Sequence, residues 1–190
     1  MIKLQLLSVL ISLLIIGIFS IPQNSIYGQE LKEYGSELVG IKLQYPEEWE
    51  ENKQEYKSEY SDDNFRSISF ELVSDGALTI YIHNTKQDIK NLNQLMLNQL
   101  NLLTSTGSFA IKFFELNQNS TFAGLPAVKI VNDQNFMLGN DPKLETLIQI
   151  VALSEDKSKI YGVTYRIDKP YFEEYLPTVE KIIESIEINK

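Results

Sequence analysis

Arg66-Ser-Ile-Ser-Phe-Glu-Leu72, the turn Ser74-Asp75-Gly76 and Ala77-Leu-Thr-Ile-Tyr-Ile-His83 decide the fold. In the first run Ile68, Phe70 and Leu72 alternate with Ser67, Ser69 and Glu71, and in the second Leu78, Ile80 and Ile82 share one side. Successive side chains of an extended chain point to opposite faces, so a period of two with one apolar side marks a half-buried strand. Ser-Asp-Gly is turn chemistry. Two strands on so short a turn form an antiparallel hairpin, because parallel pairing needs a crossover of a dozen residues or more.

Outward from this hairpin the same period recurs. Gly40 to Tyr45 alternates as a strand that Pro46 stops, and Glu47 to Glu51 reads as a helical turn around Trp49. Further strands are expected at Phe109 to Leu116, Ala127 to Val131, Leu144 to Leu153 and Ile160 to Arg166. Turns are expected between them at Asn117 to Thr121, Asn132 to Pro142 and Glu155 to Ser158. Twice the period changes to three and four. Asp88 to Thr104 carries Ile89, Leu92, Met96, Leu100 and Leu103 on one stripe. Lys169 to Ile188 carries Phe172, Tyr175, Leu176, Val179, Ile182, Ile183 and Ile186. Both are amphipathic helices whose stripes must bury against something, and the sheet faces are the available partner. The expected class is α+β, an antiparallel sheet flanked by helices. No repeat, linker or low-complexity tract divides residues 29–190, which read as one domain.

The first 28 residues differ in kind. Lys3 is followed by an almost wholly apolar run from Leu4 to Ile21, then Pro22 and a short small or polar stretch to Gly28. This is the layout of a signal peptide cleaved after Gly28 or Ser25. The run also approaches the length of about 17–25 residues that spans a bilayer, so an uncleaved signal anchor is the rival reading. A lone N-terminal Lys keeps that end inside, so either reading places the domain outside the cytoplasm, secreted or tethered. Membrane contact is expected through this segment alone, if it is kept.

The formal charge is -9, and from Gln29 onward 16 basic side chains face 26 acidic ones, net -10. Such a surface repels phosphate backbones, and no basic stripe interrupts it, so nucleic acid is excluded as a partner. The absence of cysteine removes thiol nucleophiles, thiolate metal sites and disulfides.

Several local sequences, taken in order, resemble PsbP-like proteins. These are Gly40-Ile-Lys-Leu-Gln-Tyr-Pro-Glu-Glu-Trp49, Leu125-Pro-Ala-Val-Lys-Ile-Val131, Tyr161-Gly-Val-Thr-Tyr165 and Tyr175-Leu-Pro-Thr-Val-Glu-Lys-Ile-Ile-Glu-Ser-Ile186. The resemblance spans about residues 33–188 and implies an α/β/α sandwich on an antiparallel sheet. Functionally it implies docking on a protein partner at a membrane or envelope rather than catalysis. The long N-terminal extension of the photosynthetic members has no counterpart between Gly28 and the first strand, so no photosynthetic role follows.

The residues offer no catalytic constellation. His83 is the only histidine, and neither a G-x-S-x-G elbow nor a second histidine or cysteine accompanies it. It reads as a polar residue at a strand end. Carboxylates gather at Glu47, Glu48, Glu50 and Glu51 and at Asp62-Asp63, without the spacing of a calcium loop. A second acidic stretch holds Asp133, Asn135, Asn140 and Asp141. Ca²⁺ is the one cofactor these runs would suit. Solvated surface and an Asx-rich turn account for them without it, so no cofactor or metal is expected. Tyr161, Tyr165, Tyr171 and Tyr175 are the candidate docking aromatics, since tyrosine buries large area at small entropic cost. Asn119-Ser120-Thr121 is an N-glycosylation acceptor in an expected turn. Two functions are therefore weighed. One is an exported, non-catalytic accessory protein that docks on a membrane or envelope component. The other is a small exported hydrolase or divalent-cation-dependent ligand-binding domain that uses the acidic residues.

Overall fold

A computed structural model of the chain describes residues 31–57, 65–72, 76–84, 89, 91–95, 97–98, 112–138 and 141–189. The targeting segment 1–28 and much of the helix expected over 88–104 lie outside the described residues, as do Asp62-Asp63 and Asn140.

The alternating hairpin of the sequence is β4 (Arg66–Glu71) and β5 (Ala77–Asn84), paired antiparallel with Ile68 opposite Ile80 and Phe70 opposite Leu78. They lie inside a seven-stranded sheet with β3 (Lys53–Lys57), β6 (Lys112–Phe122), β7 (Leu125–Leu138), β8 (Asp141–Leu153) and β9 (Lys159–Asp168). The spatial order is β3-β4-β5-β9-β8-β7-β6, every neighbouring pair antiparallel. A separate three-stranded sheet orders β1 (Leu31–Ser36), β2 (Ile41–Pro46) and β10 (Glu187–Ile188) as β1-β2-β10. Gly40, at φ 72, turns β1 into β2, in a left-handed backbone region that favours glycine. The Tyr34 hydroxyl of β1 donates to Glu55 of β3, and the Lys53 ammonium lies 3.9 Å over the Tyr34 ring. These contacts bring β1 beside the edge of the larger sheet.

Register turns the alternation into continuous apolar rows. Phe70, Leu78, Tyr165 and Ile148 stand side by side across four strands, and Ile68, Ile80, Val163 and Ile150 form the next row. The C-terminal helix (Lys169–Ser185) covers this face with Phe172, Val179 and Ile182. The opposite parity, Val151, Leu153, Ile160 and Tyr81, packs with Ile89, Leu92 and Leu95. Leu92 also reaches Val128 and Ile130. Residues 92–95 and 97–98 are helical, as the three- and four-residue spacing there predicts.

Four expectations need correction. The stretches read as turns at Asn117 to Thr121 and from Asn132 to Leu138 are strand, part of β6 and of β7. Their polar residues suit a turn locally, but twelve cross-strand pairs with β8 hold the extended β7. β1, β3 and β10 went unrecognised because β1 and β3 are largely exposed and lack a one-sided apolar alternation, while β10 has two residues. The final helix stops at Ser185, not Ile188. Ser185 Oγ donates to Ile182 O at 2.7 Å and accepts the Gln44 N–H at 2.9 Å, and the chain then extends to pair Ile188 with Ile41.

Gly162 lies in the middle of β9, opposite Tyr81. The Tyr81 phenol lies across it where a Cβ would project, so a methyl group there would overlap the ring. Gly162→Ala should therefore destabilise the domain by about 1–3 kcal/mol, the usual cost of overpacking. The penalty should shrink in the Tyr81→Ala background, a non-additivity readable from urea midpoints. Ile182 is fully buried between helix and sheet, and Ile182→Asp would place an unpaired charge there. Loss of the cooperative thermal transition is expected. A folded variant would show that the helix packs through another stripe.

Candidate functional site

The four candidate tyrosines divide into two pairs. On β9, Tyr161 and Tyr165 share a face with Val163, and that face points into the core. Tyr165 is fully buried, stacks on Phe172 with ring centroids 5.4 Å apart, and donates its hydroxyl to Phe172 O at 3.3 Å. Tyr161 is also buried. Neither can reach a partner, so the expectation that they dock is corrected: their size serves the core. Tyr171 and Tyr175 lie one turn apart on the C-terminal helix. Tyr171 is 39% exposed. Tyr175 is half-buried, its ring 6.5 Å from Trp49. Glu47 and Glu48, on the short 3-10 helix (Glu47–Asn52) that carries Trp49, are exposed, as are Glu173 and Glu174 beside the tyrosines. Burial first, and then Glu174, Tyr171 and Glu48 close by, push the Tyr175 phenol above its ordinary value. Helix and 3-10 helix thus bring together an aromatic pair with an acidic rim.

A second polar region occupies the end of the sheet where β7, β8 and β9 meet the helix start. Asp133, read as part of an acidic loop, is buried in β7. It accepts the Thr146 hydroxyl at 2.6 Å and the Lys169 ammonium, which joins β7 and β8 to the helix. On the other face Glu145 is buried, with Gln134 Nε2 at 3.3 Å and Arg166 Nη1 at 3.9 Å. Lys143 Nζ lies 3.9 Å from Asp168. Asn132 is fully buried, and neither its amide nitrogen nor its oxygen has a hydrogen-bond partner among the described residues. Asn135 stands in β7 opposite Leu144, so this part of the stretch read as an Asx-rich turn belongs to a hairpin ladder. Among the described residues no three His, Cys, Asp or Glu side chains gather as metal ligands.

His83 is the penultimate residue of β5, opposite Ile160, with Nδ1 2.9 Å from the Asn84 carbonyl. Six residues of strand, roughly 20 Å at about 3.3 Å each, separate it from Ala77, opposite Arg166. The histidine and the buried acids of the polar end are therefore too far apart to act as one acid–base relay. At the β8–β9 turn Asp156 accepts Ser154 Oγ at 2.7 Å and the Ser158 N–H at 3.0 Å. Those bonds draw its carboxyl down to about 2. Asn119 is exposed on β6.

Sequence reading missed the Asp133–Thr146–Lys169 and Glu145–Gln134–Arg166 clusters, whose members are dispersed from 133 to 169. The available signal was a buried-parity position held by an acid: Asp133 has the parity of Val131, and Glu145 that of Leu147.

The topology and the two-sided burial define an α+β domain on an antiparallel sheet, and solved structures place it more narrowly. The chain is similar to cyanobacterial PsbP (CyanoP) from Synechocystis sp. PCC 6803, with a TM-score of 0.57 and 10% identity over 83% of this chain and 92% of that one. It is also similar to LpqN, involved in cell envelope biogenesis of Mycobacterium tuberculosis, with a TM-score of 0.53 and 12% identity over 85% and 91%. The chain has the PsbP-like fold that its local sequences resemble. No protein-family model matches the sequence, and neither does any curated protein.

Alkaline titration tests the burial of the tyrosines. Burial pushes the Tyr81 phenol from 10.0 up to about 12 and raises Tyr165 further. A raised folded value means the folded state holds the proton more tightly than the unfolded chain. The resulting stability is complete below pH 10 and is lost as pH rises through about 12. Tyrosinate absorbance should show the exposed tyrosines ionising first, and the last ones only together with unfolding. Simple titration of all ten at their ordinary value would contradict the burial.

Proposed function

We propose that this chain is an exported, non-catalytic accessory protein, a PsbP-like α/β/α sandwich that docks on a protein component of the membrane or envelope. The observation that carries the reading is the fold shared across most of the chain with CyanoP and with LpqN, a protein of cell envelope biogenesis. The N-terminal layout agrees with work outside the cytoplasm. The pairing of the buried acids supports docking, because Asp133 and Glu145 are engaged in holding strands and helix together rather than turned to a substrate. The docking face is the rim of Tyr171 and Tyr175 with Glu48, Glu173 and Glu174. Aromatic residues in such a position supply contact area at small entropic cost, and an acidic surround favours a basic counterpart.

A photo-crosslinking side chain at position 171, in protein expressed in its own cell, tests this. Position 157 at the β8–β9 turn is the control, since the nine steps of β9 from Lys159 to Asp168 span roughly 30 Å. One membrane or envelope protein captured reproducibly from 171 and not from 157 is expected. Tyr171→Ala should weaken that complex by about 1–2 kcal/mol, or roughly 5–30-fold. Equal capture from both positions would refute the face. No capture, together with a rise in melting temperature in micromolar Ca²⁺, would turn the reading to a cation-dependent binding domain.

A further inference from the structure

The outermost strand β6 breaks its ladder twice, and the second break lies between Asn117 and Ser120. Asn117 pairs with Lys129 and Ser120 with Ala127, so Gln118 and Asn119 together oppose the single residue Val128. This is a β-bulge, which leaves one residue unpaired and re-aims its side chain. Asn119 is exposed, its N–H is held by Asn117 Oδ1 at 2.9 Å, and its carboxamide makes no hydrogen bond to the described residues. Thr121, two residues on, is also exposed. Among all the asparagines of the chain, only Asn119 is followed by the N-x-S/T pattern. The sole acceptor sequence thus coincides with a bulge on an edge strand of the sheet, at an exposed position where, among the described residues, no further strand pairs.

We infer that Asn119 carries an N-linked glycan, an inference that rests on the export proposed above. The donor is an oligosaccharide linked to a polyprenyl phosphate, used by a membrane transferase on the outer side. Asn119 Nδ2 bonds to the anomeric carbon and gives up one proton to a base. The bond from that carbon to the phosphate oxygen breaks, and the polyprenyl phosphate leaves with the electron pair. The Thr121 hydroxyl is the recognition element, and Ser120 occupies the position where any residue but proline serves. The glycan would stand at the free edge of the sheet and block strand addition there.

Mass spectrometry of protein isolated from its own cell tests both claims at once. The tryptic peptide Phe113–Lys129 should be heavier by a sum of whole sugar residues, and the N-terminus should lie near Gln29 or at Met1 in a membrane fraction. Asn119→Gln and Thr121→Ala should each abolish the added mass, while Ser120→Ala keeps it. An exported protein with unmodified Asn119 overturns the inference and leaves export standing. Added mass that persists in Asn119→Gln, as from sugar on Ser120 or Thr121, overturns it as well. Full-length, unmodified protein in the cytosol overturns export and glycan together.

Discussion

Burial of β9 on both faces is the constraint on which the rest of this structure depends. One parity of the strand, Tyr161, Val163, Tyr165 and Ile167, lies against the C-terminal helix side, while Ile160 lies with Ile89 and Leu95 on the other. A strand so placed must sit mid-sheet and needs apolar cover above and below. It also needs room on its second face, which Gly162 supplies by leaving space for the Tyr81 ring. Burial of each large apolar side chain contributes about 1.5–3 kcal/mol, so these rows outweigh the partly exposed pairs Lys129–Glu115 and Lys143–Asp168, which contribute about 0–1 kcal/mol each. The polar end of the sheet then tunes the join between helix and strands rather than creating it.

Elements whose local pattern agrees with their burial were legible in the sequence. The β4–β5 hairpin, β8, β9 and the C-terminal helix each carry an apolar repeat matched to a buried face, and their ends fall within a few residues of the expected positions. The rest depended on partners. β3, Lys-Gln-Glu-Tyr-Lys, has no apolar side and is a strand because β4 offers it a ladder. The polar far half of β7 looks like a loop by composition and is straightened by β8. Propensity is a property of a segment, whereas pairing belongs to two, and no window along one strand displays it.

The candidate site was legible in its residue types but not in its exposure. Tyrosines 161, 165, 171 and 175 look alike in the sequence, each within an amphipathic element. Tyr165 disappears into the core because the alternation of β9 places it with Val163, and this could have been inferred from parity. Tyr171 remains exposed because it flanks the helical stripe that Phe172 leads. The buried acids could not be read as a set, since Asp133 and Lys169 are 36 residues apart and meet only through the β7-β8-β9 order.

That strand order also limits how a partner can be engaged. Among the described residues the two outer strands of the large sheet are β3 and β6, and each presents an edge where another chain's strand could add. β3 has five residues with a lysine at each end, a length and charge that disfavour strand addition. β6 is long, but its ladder is interrupted twice, between Phe113 and Glu115 and between Asn117 and Ser120, so its edge offers no long regular register. Recognition by backbone pairing is thus disfavoured at both edges of the large sheet. The surface open to side-chain contact includes the helix rim at Tyr171, an exposed aromatic among acids on a helix anchored by fully buried Val179 and Ile182. Rigid support beneath such a residue limits the order lost on binding, which is what lets a small contact surface hold a specific partner.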